Sequence, residues 1–513
     1  MSTQDSLPRP KLTGILFVIV LASLAVYANT LFNGFVYDDE YQVLKNPWIT
    51  DFRYIPTVFT SEVWAFQGAP LSNYYRPLLH VLYMLAYHLF GLRAWGFHAV
   101  NIFLHAGVSV LVFLLIYDEL ADCELKTRLF ASCAASALFI THPIHADAVV
   151  PVMSVTDLSL AFFYILSLYT HIRCRRKGHQ ACFFPAVFFF LATLCKETAL
   201  TLPLVIFAYD RFACRQETTF VALCKRYAPY LMVAAIYFMI RMYALGSIVP
   251  INKQPGLNFY QCVLNVSPLM AQYILKLLLP INLNARYEFH PYTSFFDMKV
   301  MLSVAMMLFL AFALYKSART EKIVFFGLSF LIIPLLPTLY VRAIPCPFAE
   351  RYLYLPSVGF VLIIAVFLAR VVATRPGYAV ILQVMLALVI GLCTVGTIRR
   401  NAVWRDNYSL WSDTVTKSPN DPFVRNNLGL ALANQGRLEE AIVQYSEALR
   451  LNPDDDFTHY NLGIALAKQG KLEEAISHYS EALRINPSDE ETRALLEFTI
   501  TQLRNSKARP GHP

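Results

Sequence analysis

The 513-residue chain predicts an all-α protein in two parts, a polytopic bundle of membrane helices followed by a short helical solenoid. Two observations predict it. The first is solvent preference: 57% of the residues are hydrophobic and 15% are charged, against about 25% charged in an ordinary soluble chain. Charge is sparse up to about residue 400 and dense beyond it, so lipid solvates the first part and water the second. The second observation is a 34-residue period near the C-terminus. The expected division is therefore 1–400 for the membrane domain and 401–513 for the solenoid.

The apolar runs place about eleven spans, near 12–31, 97–117, 129–142, 156–172, 182–195, 198–210, 228–245, 300–316, 323–341, 357–374 and 378–398. Arg9 and Lys11 precede the first run, whose length of about 20 residues reads as an uncleaved signal anchor. Segment 77–91 mixes His80, Tyr83, Tyr87 and His88 with apolar residues, the pattern of a helix lying in the membrane interface. Charge orients the bundle. With a cytoplasmic N-terminus, the inner loops hold Lys126 and Arg128, then Arg173, Arg175, Arg176 and Lys177, then Arg211, Arg215, Lys225 and Arg226, then Lys316, Arg319 and Lys322, then Arg370 and Arg375. That alternation satisfies the positive-inside rule and leaves the C-terminal domain outside. Counting 77–91 as a span would invert every later loop. The net charge of +8 thus belongs to membrane orientation and not to a nucleic-acid partner. The ten cysteines contain no CxxC pair to mark a zinc site.

In the C-terminal part Leu428-Gly429 recurs as Leu462-Gly463, Ala441 as Ala475, Tyr445 as Tyr479, Ala448 as Ala482 and Asn452-Pro453 as Asn486-Pro487. The interval is that of a tetratricopeptide repeat (TPR). Trp411 and Pro419 lie one period further upstream. The module therefore reads as a degenerate leading repeat 404–421, repeats 422–455 and 456–488, and a capping helix 489–505.

Polar residues collect in the loops placed outside, roughly 32–96, 143–155, 246–299 and 342–356. Asp38-Asp39-Glu40 follows the first span. Adjacent carboxylates raise one another's pKa towards a range useful to a general base; the alternative is a solvated turn, and the residues do not say which aspartate would be the base. Arg76 either grips a phosphate or carboxylate with its planar fork or anchors the interface. His142, His145 and Asp147, with Asp157 nearby, fit either a divalent-metal set or a polar cluster at a cavity mouth. Lys196-Glu197 is an ion pair between two apolar halves, a functional pair or a satisfied packing element. Glu350-Arg351 precedes the tenth span, where Arg351 either neutralises a phosphate leaving group or sits, with the tyrosines around it, in an ordinary interfacial belt.

The order and spacing of these elements, together with the C-terminal repeats, resemble the transmembrane and tetratricopeptide repeat-containing (TMTC) O-mannosyltransferases and their bacterial relatives. The resemblance implies a GT-C-like glycosyltransferase bundle. It implies transfer of mannose, with inversion, from a polyprenyl-phosphate donor to a hydroxyl acceptor such as a protein Ser or Thr. It makes Asp38 and Asp39 the catalytic acids and Arg351, Lys196 and Arg76 the phosphate-binding residues. Glu40, His142, His145, Asp147, Asp157, Glu197 and Glu350 become a supporting polar cluster. No cofactor beyond the lipid-linked sugar is required, a divalent metal at His142, His145 and Asp147 being an open alternative. The partners implied are membrane lipid, the donor, and a protein met through the repeats. The implied location is a bacterial inner membrane with periplasmic repeats. The sequons Asn265-Val266-Ser267 and Asn407-Tyr408-Ser409 keep the endoplasmic reticulum, with lumenal repeats, as the alternative. About two and a half repeats is a departure from the long arrays of the family. The rival readings are a membrane-anchored TPR scaffold and a secondary transporter, the latter calling for inverted repeats and mid-depth charges.

Overall fold

The computed structural model describes residues 8–68, 72–179, 182–213, 219–246, 256–341 and 346–508, which contain helices and no strand. The chain divides into two compact units. The larger comprises Met1–Leu283 and Phe289–Trp404, and the smaller Asn284–Glu288 and Arg405–Pro513.

The larger unit runs through α1 (Arg9–Tyr27), α2 (Ile55–Phe59), α3 (Pro77–Phe90), α4 (Ala94–Glu119), α5 (Leu125–Thr141), α6 (Ala146–Val149), α7 (Val155–Arg176) and α8 (Phe183–Cys195). It continues with α9 (Leu202–Ala208), α10 (Phe220–Leu245), α11 (Phe259–Leu278), α12 (Met298–Thr320), α13 (Lys322–Ile332), α14 (Ser357–Thr374) and α15 (Ala379–Val403). Each expected span is helical. Among the described residues eight helices are long and apolar enough to cross a bilayer, and α5 with Pro143–Val149, bent by 48°, makes a ninth. The protein is an integral membrane protein. The segments expected at 182–195 and 198–210 are two pieces, α8 of 13 residues and α9 of 7, each short of the roughly 20 that span alone. Lys196 stops α8 by going fully extended, at φ −163° and ψ 146°.

Helix α3 starts with Pro77 at its first position, where the missing N–H costs nothing. It buries Leu79, His80, Tyr83 and Met84 and exposes Leu85 and Leu89. Helix α11 lies inside the stretch 246–299 expected as loop. Gln261, Asn265, Gln272 and Pro268 dilute its apolar pattern, yet a capping box between Asn258 and Gln261 starts it. It buries Leu264, Leu269, Met270, Tyr273 and Leu277. Asn265 is buried too, its amide donating to Gln261 O at 2.7 Å and Tyr292 O at 3.0 Å, so the folded chain does not present this sequon for modification. Helices α13 and α14 meet at glycines: a Cβ on Gly359 would lie 2.3 Å from Gly327 O. This is the small-residue approach that membrane helices use where hydrophobic burial cannot drive association. Cys174 and Cys182 come together across the turn from α7 to α8, with Cα atoms 6.6 Å apart.

The smaller unit stacks α16 (Asn407–Lys417), α17 (Pro422–Asn434), α18 (Leu438–Leu451), α19 (Asp456–Lys468), α20 (Leu472–Ile485) and α21 (Glu490–Ala508). The repeated Leu-Gly and Tyr positions explain one another. A Cβ on Gly429 would lie 2.6 Å from the Tyr445 ring, and one on Gly463 the same distance from Tyr479. Gly436 and Gly470, at φ +79° and +80°, make the turn between the helices of each pair. Asn284–Glu288 belongs to this unit: Asn284 donates to Ser418 Oγ at 2.8 Å, and Arg286 Nε donates to Asp421 Oδ2 at 2.6 Å.

Candidate active site

After α1 the chain runs extended from Asn33 and turns at Tyr37, whose φ is +54°. An L-residue there costs about 1–2 kcal/mol. The turn is held by Asp39 N–H donating to Val36 O at 3.0 Å and Glu40 N–H to Tyr37 O at 3.2 Å. It gives the two adjacent aspartates different surroundings. Asp39 is fully buried. Its Oδ1 accepts from Met153 N–H at 2.7 Å, and its Oδ2 from Val152 N–H at 3.1 Å and Val36 N–H at 3.4 Å. It thereby ties the first loop to the start of α7. Burial pushes its pKa up to about 7 against the pull of those three donors. Asp38 stays half-buried. Burial raises its pKa to about 6, and the Arg351 charge opposes that rise. Glu40, also half-buried, opens the π-helical turn Glu40–Leu44.

Two cations, Lys196 and Arg351, line a narrow cleft together with Asp157, Thr198, Thr338 and Tyr352, and Arg76 lies near enough for its charge to act on Lys196. Lys196 Nζ lies 2.5 Å from Asp157 Oδ1 and 4.9 Å from the centre of the Tyr352 ring. Burial lowers the Lys196 pKa, the Asp157 charge opposes this, and Arg76 and Arg351 add to it. Arg351 sits on the short turn Glu350–Leu353. Its N–H donates to Asp147 Oδ2 at 3.0 Å, and its guanidinium is 3.6 Å from Asp147 Oδ1. Arg76 is 3.6 Å from Glu197 Oε2, and Arg241 NH1 is 3.2 Å from Glu197 Oε1. Burial would raise the Glu197 pKa, but the two arginines outweigh it and hold it low. Arg241 also donates to Asn73 O at 2.9 Å. Glu350 is fully buried, 4.0 Å from Arg400.

Asp38, Asp39, Arg76, Asp147, Asp157, Lys196, Glu197 and Arg351 thus come from five separate stretches of chain and form one connected cluster. His142 and His145 lie behind it and serve the backbone. His142 Nε2 donates to Leu277 O at 3.0 Å, and its Nδ1 accepts from Ile144 N–H. His145 Nδ1 donates to Phe139 O at 2.7 Å, and its Nε2 is 2.9 Å from Ser357 Oγ. With these ring nitrogens engaged and Asp147 turned to Arg351, the three are not a ligand set. Among the described residues no group of three or more His, Cys, Asp or Glu is placed to hold a metal ion. Arg241 and Arg400 are additions to the sequence reading. Arg241 carried a legible signal, a charge within an apolar helix.

Two family models match the C-terminal part, one described as TPR repeat over residues 429–470 and one as tetratricopeptide repeat over 457–489. Similarity to whole proteins extends much further. Human protein O-mannosyl-transferase TMTC3 is 28% identical over 475 residues, covering 84% of this chain and 50% of its own. Human TMTC1 is 28% identical over 483 residues, covering 84% and 54%. The Caenorhabditis elegans protein O-mannosyl-transferase F38B6.6 is 27% identical over 449 residues, covering 85% and 63%. The chain is a relative of the TMTC protein O-mannosyl-transferases. It spans about half the length of the TMTC3 proteins it matches. Because 84% of the chain is more than its repeats, the TMTC kinship includes the bundle that holds the cluster. Among solved structures, ArnT from Cupriavidus metallidurans bound to undecaprenyl phosphate is similar over 91% of this chain and 80% of its own, at 14% identity and a TM-score of 0.36.

Proposed function

We propose that the chain is a GT-C-like membrane glycosyltransferase that moves mannose from a polyprenyl phosphate to a hydroxyl, a protein Ser or Thr, on the extracytoplasmic face. One observation carries this reading: a half-buried carboxylate, Asp38, stands within the field of Arg351, which belongs to the cationic cleft. Asp38 accepts the proton of the acceptor hydroxyl. The hydroxyl oxygen attacks the anomeric carbon, and the bond from that carbon to the phosphate oxygen breaks with its electron pair going to the phosphate. Arg351, Lys196 and Arg76 meet the charge that develops there, already oriented by Asp147, Asp157 and Glu197. Asp39 holds the loop and does no proton transfer, both its oxygens being taken by backbone donors.

Each cation already has a carboxylate partner within 4 Å, so the cleft suits a single phosphodiester charge better than a multiply charged one. The loop charges support an outward-facing site and repeats on that same side, where they present or select the acceptor. The kinship with proteins named O-mannosyl-transferases supports mannose as the sugar. The test is transfer of labelled mannose from polyprenyl-phosphate mannose in membranes containing the native chain, Asp38→Asn or Arg351→Ala. Full transfer by both variants would sink the reading.

A further inference from the structure

Helix α15 is held in an unusual way. Its most apolar window has none of its residues buried, and its buried residues are Thr397, Arg400 and Asn401, all in the last two turns. Apolar burial therefore contributes little to its place in the bundle, and polar contacts at one end do the holding. Thr397 Oγ1 donates to Thr141 O at 2.7 Å, and Asn401 Nδ2 donates to Asn29 Oδ1 at 3.0 Å and Val26 O at 3.2 Å. Asn29 and Asn33 donate back, to Ile398 O at 3.1 Å and Asn401 O at 3.2 Å. Gly396 lets the helix close on Pro143, 3.1 Å from where a Cβ would sit. Arg400 faces the fully buried Glu350 at 4.0 Å.

Two of these contacts lead to residues that hold Arg351, which lines the cleft. Thr141 and Pro143 begin the turn that leads to Asp147, and Glu350 is the neighbour of Arg351. We propose that the outer end of α15 is a positioning element of the donor site, with Arg400 a positioning residue that acts through Glu350 on Arg351. Among the described contacts the turn Glu350–Leu353 is held by Asp147 on the Arg351 N–H and guanidinium, with Arg400 facing the Glu350 carboxylate at 4.0 Å. A buried ion pair contributes little net stability, because desolvation roughly offsets the attraction; fixing the peptide that carries Arg351 is a role the geometry does support. Arg405, where the repeat unit begins, follows α15 after Trp404, so the covalent link to the repeats passes through this same end.

The inference rests on Arg351 meeting the donor phosphate, and the test separates the two claims. The full chain is purified in detergent and titrated with undecaprenyl-phosphate mannose, a singly charged phosphodiester, binding being read from the ligand-induced rise in Tm. Arg400→Ala and Glu350→Gln are each expected to weaken binding about tenfold or more, as loss of a group that orients a ligand-binding side chain does. Arg400→Lys is expected to recover most of the affinity. The double variant Arg400→Ala/Glu350→Gln is expected to be no worse than either single one, because both remove the same contact. In transfer assays Arg400→Ala is expected to raise the donor KM more than it lowers kcat, and the double variant, which leaves no lone buried charge, is expected to keep a ligand-free Tm closer to native than Arg400→Ala does. Native affinity in Arg351→Ala, or no binding by the native chain, overturns the phosphate reading and this inference with it. Lost binding in Arg351→Ala beside native affinity in Arg400→Ala overturns the positioning role alone. Should Arg400→Ala fail to fold, the isosteric Glu350→Gln decides, native affinity again overturning it.

Discussion

Replacing Asp38 by asparagine keeps the shape of the side chain and removes its capacity to take a proton. Transfer should fall about 10²–10⁴-fold, with the ligand-free Tm little changed, as labelled-mannose transfer and thermal unfolding will show. Asp39→Asn should behave in the opposite sense. Its amide NH₂ would face backbone N–H donors that the carboxylate now satisfies, so Tm should drop, by an amount corresponding to about 1–3 kcal/mol. Equal loss of transfer with equal loss of Tm in both variants would contradict this division of roles. The pH profile follows from Asp38. A base must be unprotonated, and burial lifts its pKa to about 6. The rate should therefore fall as pH drops through about 6 and level off above it, and Asp38→Asn should lose that acidic limb. Asp38 and Asp39 were both visible in the sequence as acids after the first span. Their different roles were not, since the donors that occupy Asp39 sit at Val152 and Met153, more than a hundred positions away.

At the scale of elements, the eleven expected runs fell on helices, eight of which, or nine with the bent pair, are long and apolar enough to cross a bilayer among the described residues, and the 34-residue period marked the repeats. The signal weakened where local polarity and length disagreed with tertiary context. Helix α11 was hidden by its polar face, and 182–210 looked like two spans where the chain makes two short helices around Lys196-Glu197. Packing between elements supplies the next prediction. Gly359→Ala puts a Cβ 2.3 Å from Gly327 O and 2.6 Å from Leu331 N, backbone atoms that cannot rotate away. Helices α13 and α14 must separate, at a cost of about 1–3 kcal/mol or more. Because Ser357 and the Glu350–Leu353 turn lead directly into α14, donor KM should rise as Tm falls. A Gly359→Ala variant with native Tm would show that the two helices are not pressed together here.

For the whole molecule, orientation is the testable quantity. By the positive-inside rule the basic clusters of the loops predict a cytoplasmic N-terminus and repeats on the outer side. A reporter active only outside the cytoplasm, fused after Pro513, should be active, and a cytoplasmic reporter at the same place should be silent. The reverse result would put the repeats on the wrong side for any acceptor used at the Asp38 face. The scaffold reading predicts the same topology but no transfer by the native chain above that of membranes lacking it, so the two experiments together separate an enzyme from an anchor.

Composition, charge alternation and period by themselves determined the solvent of each part, the helical class, the repeat type and the residue types available to a site. These properties are local or additive along the chain, and they survive in a linear reading. Tertiary structure alone decided that backbone donors occupy both oxygens of Asp39, that Asp147 turns to Arg351 while His142 and His145 bond to other groups, and that Asp157 pairs with Lys196. Only the fold brought Arg400 to Glu350. Those outcomes depend on contacts between residues 39 to 204 positions apart. Burial of each charge at such distances is set by whichever helices pack beside it, and no local pattern encodes that neighbour.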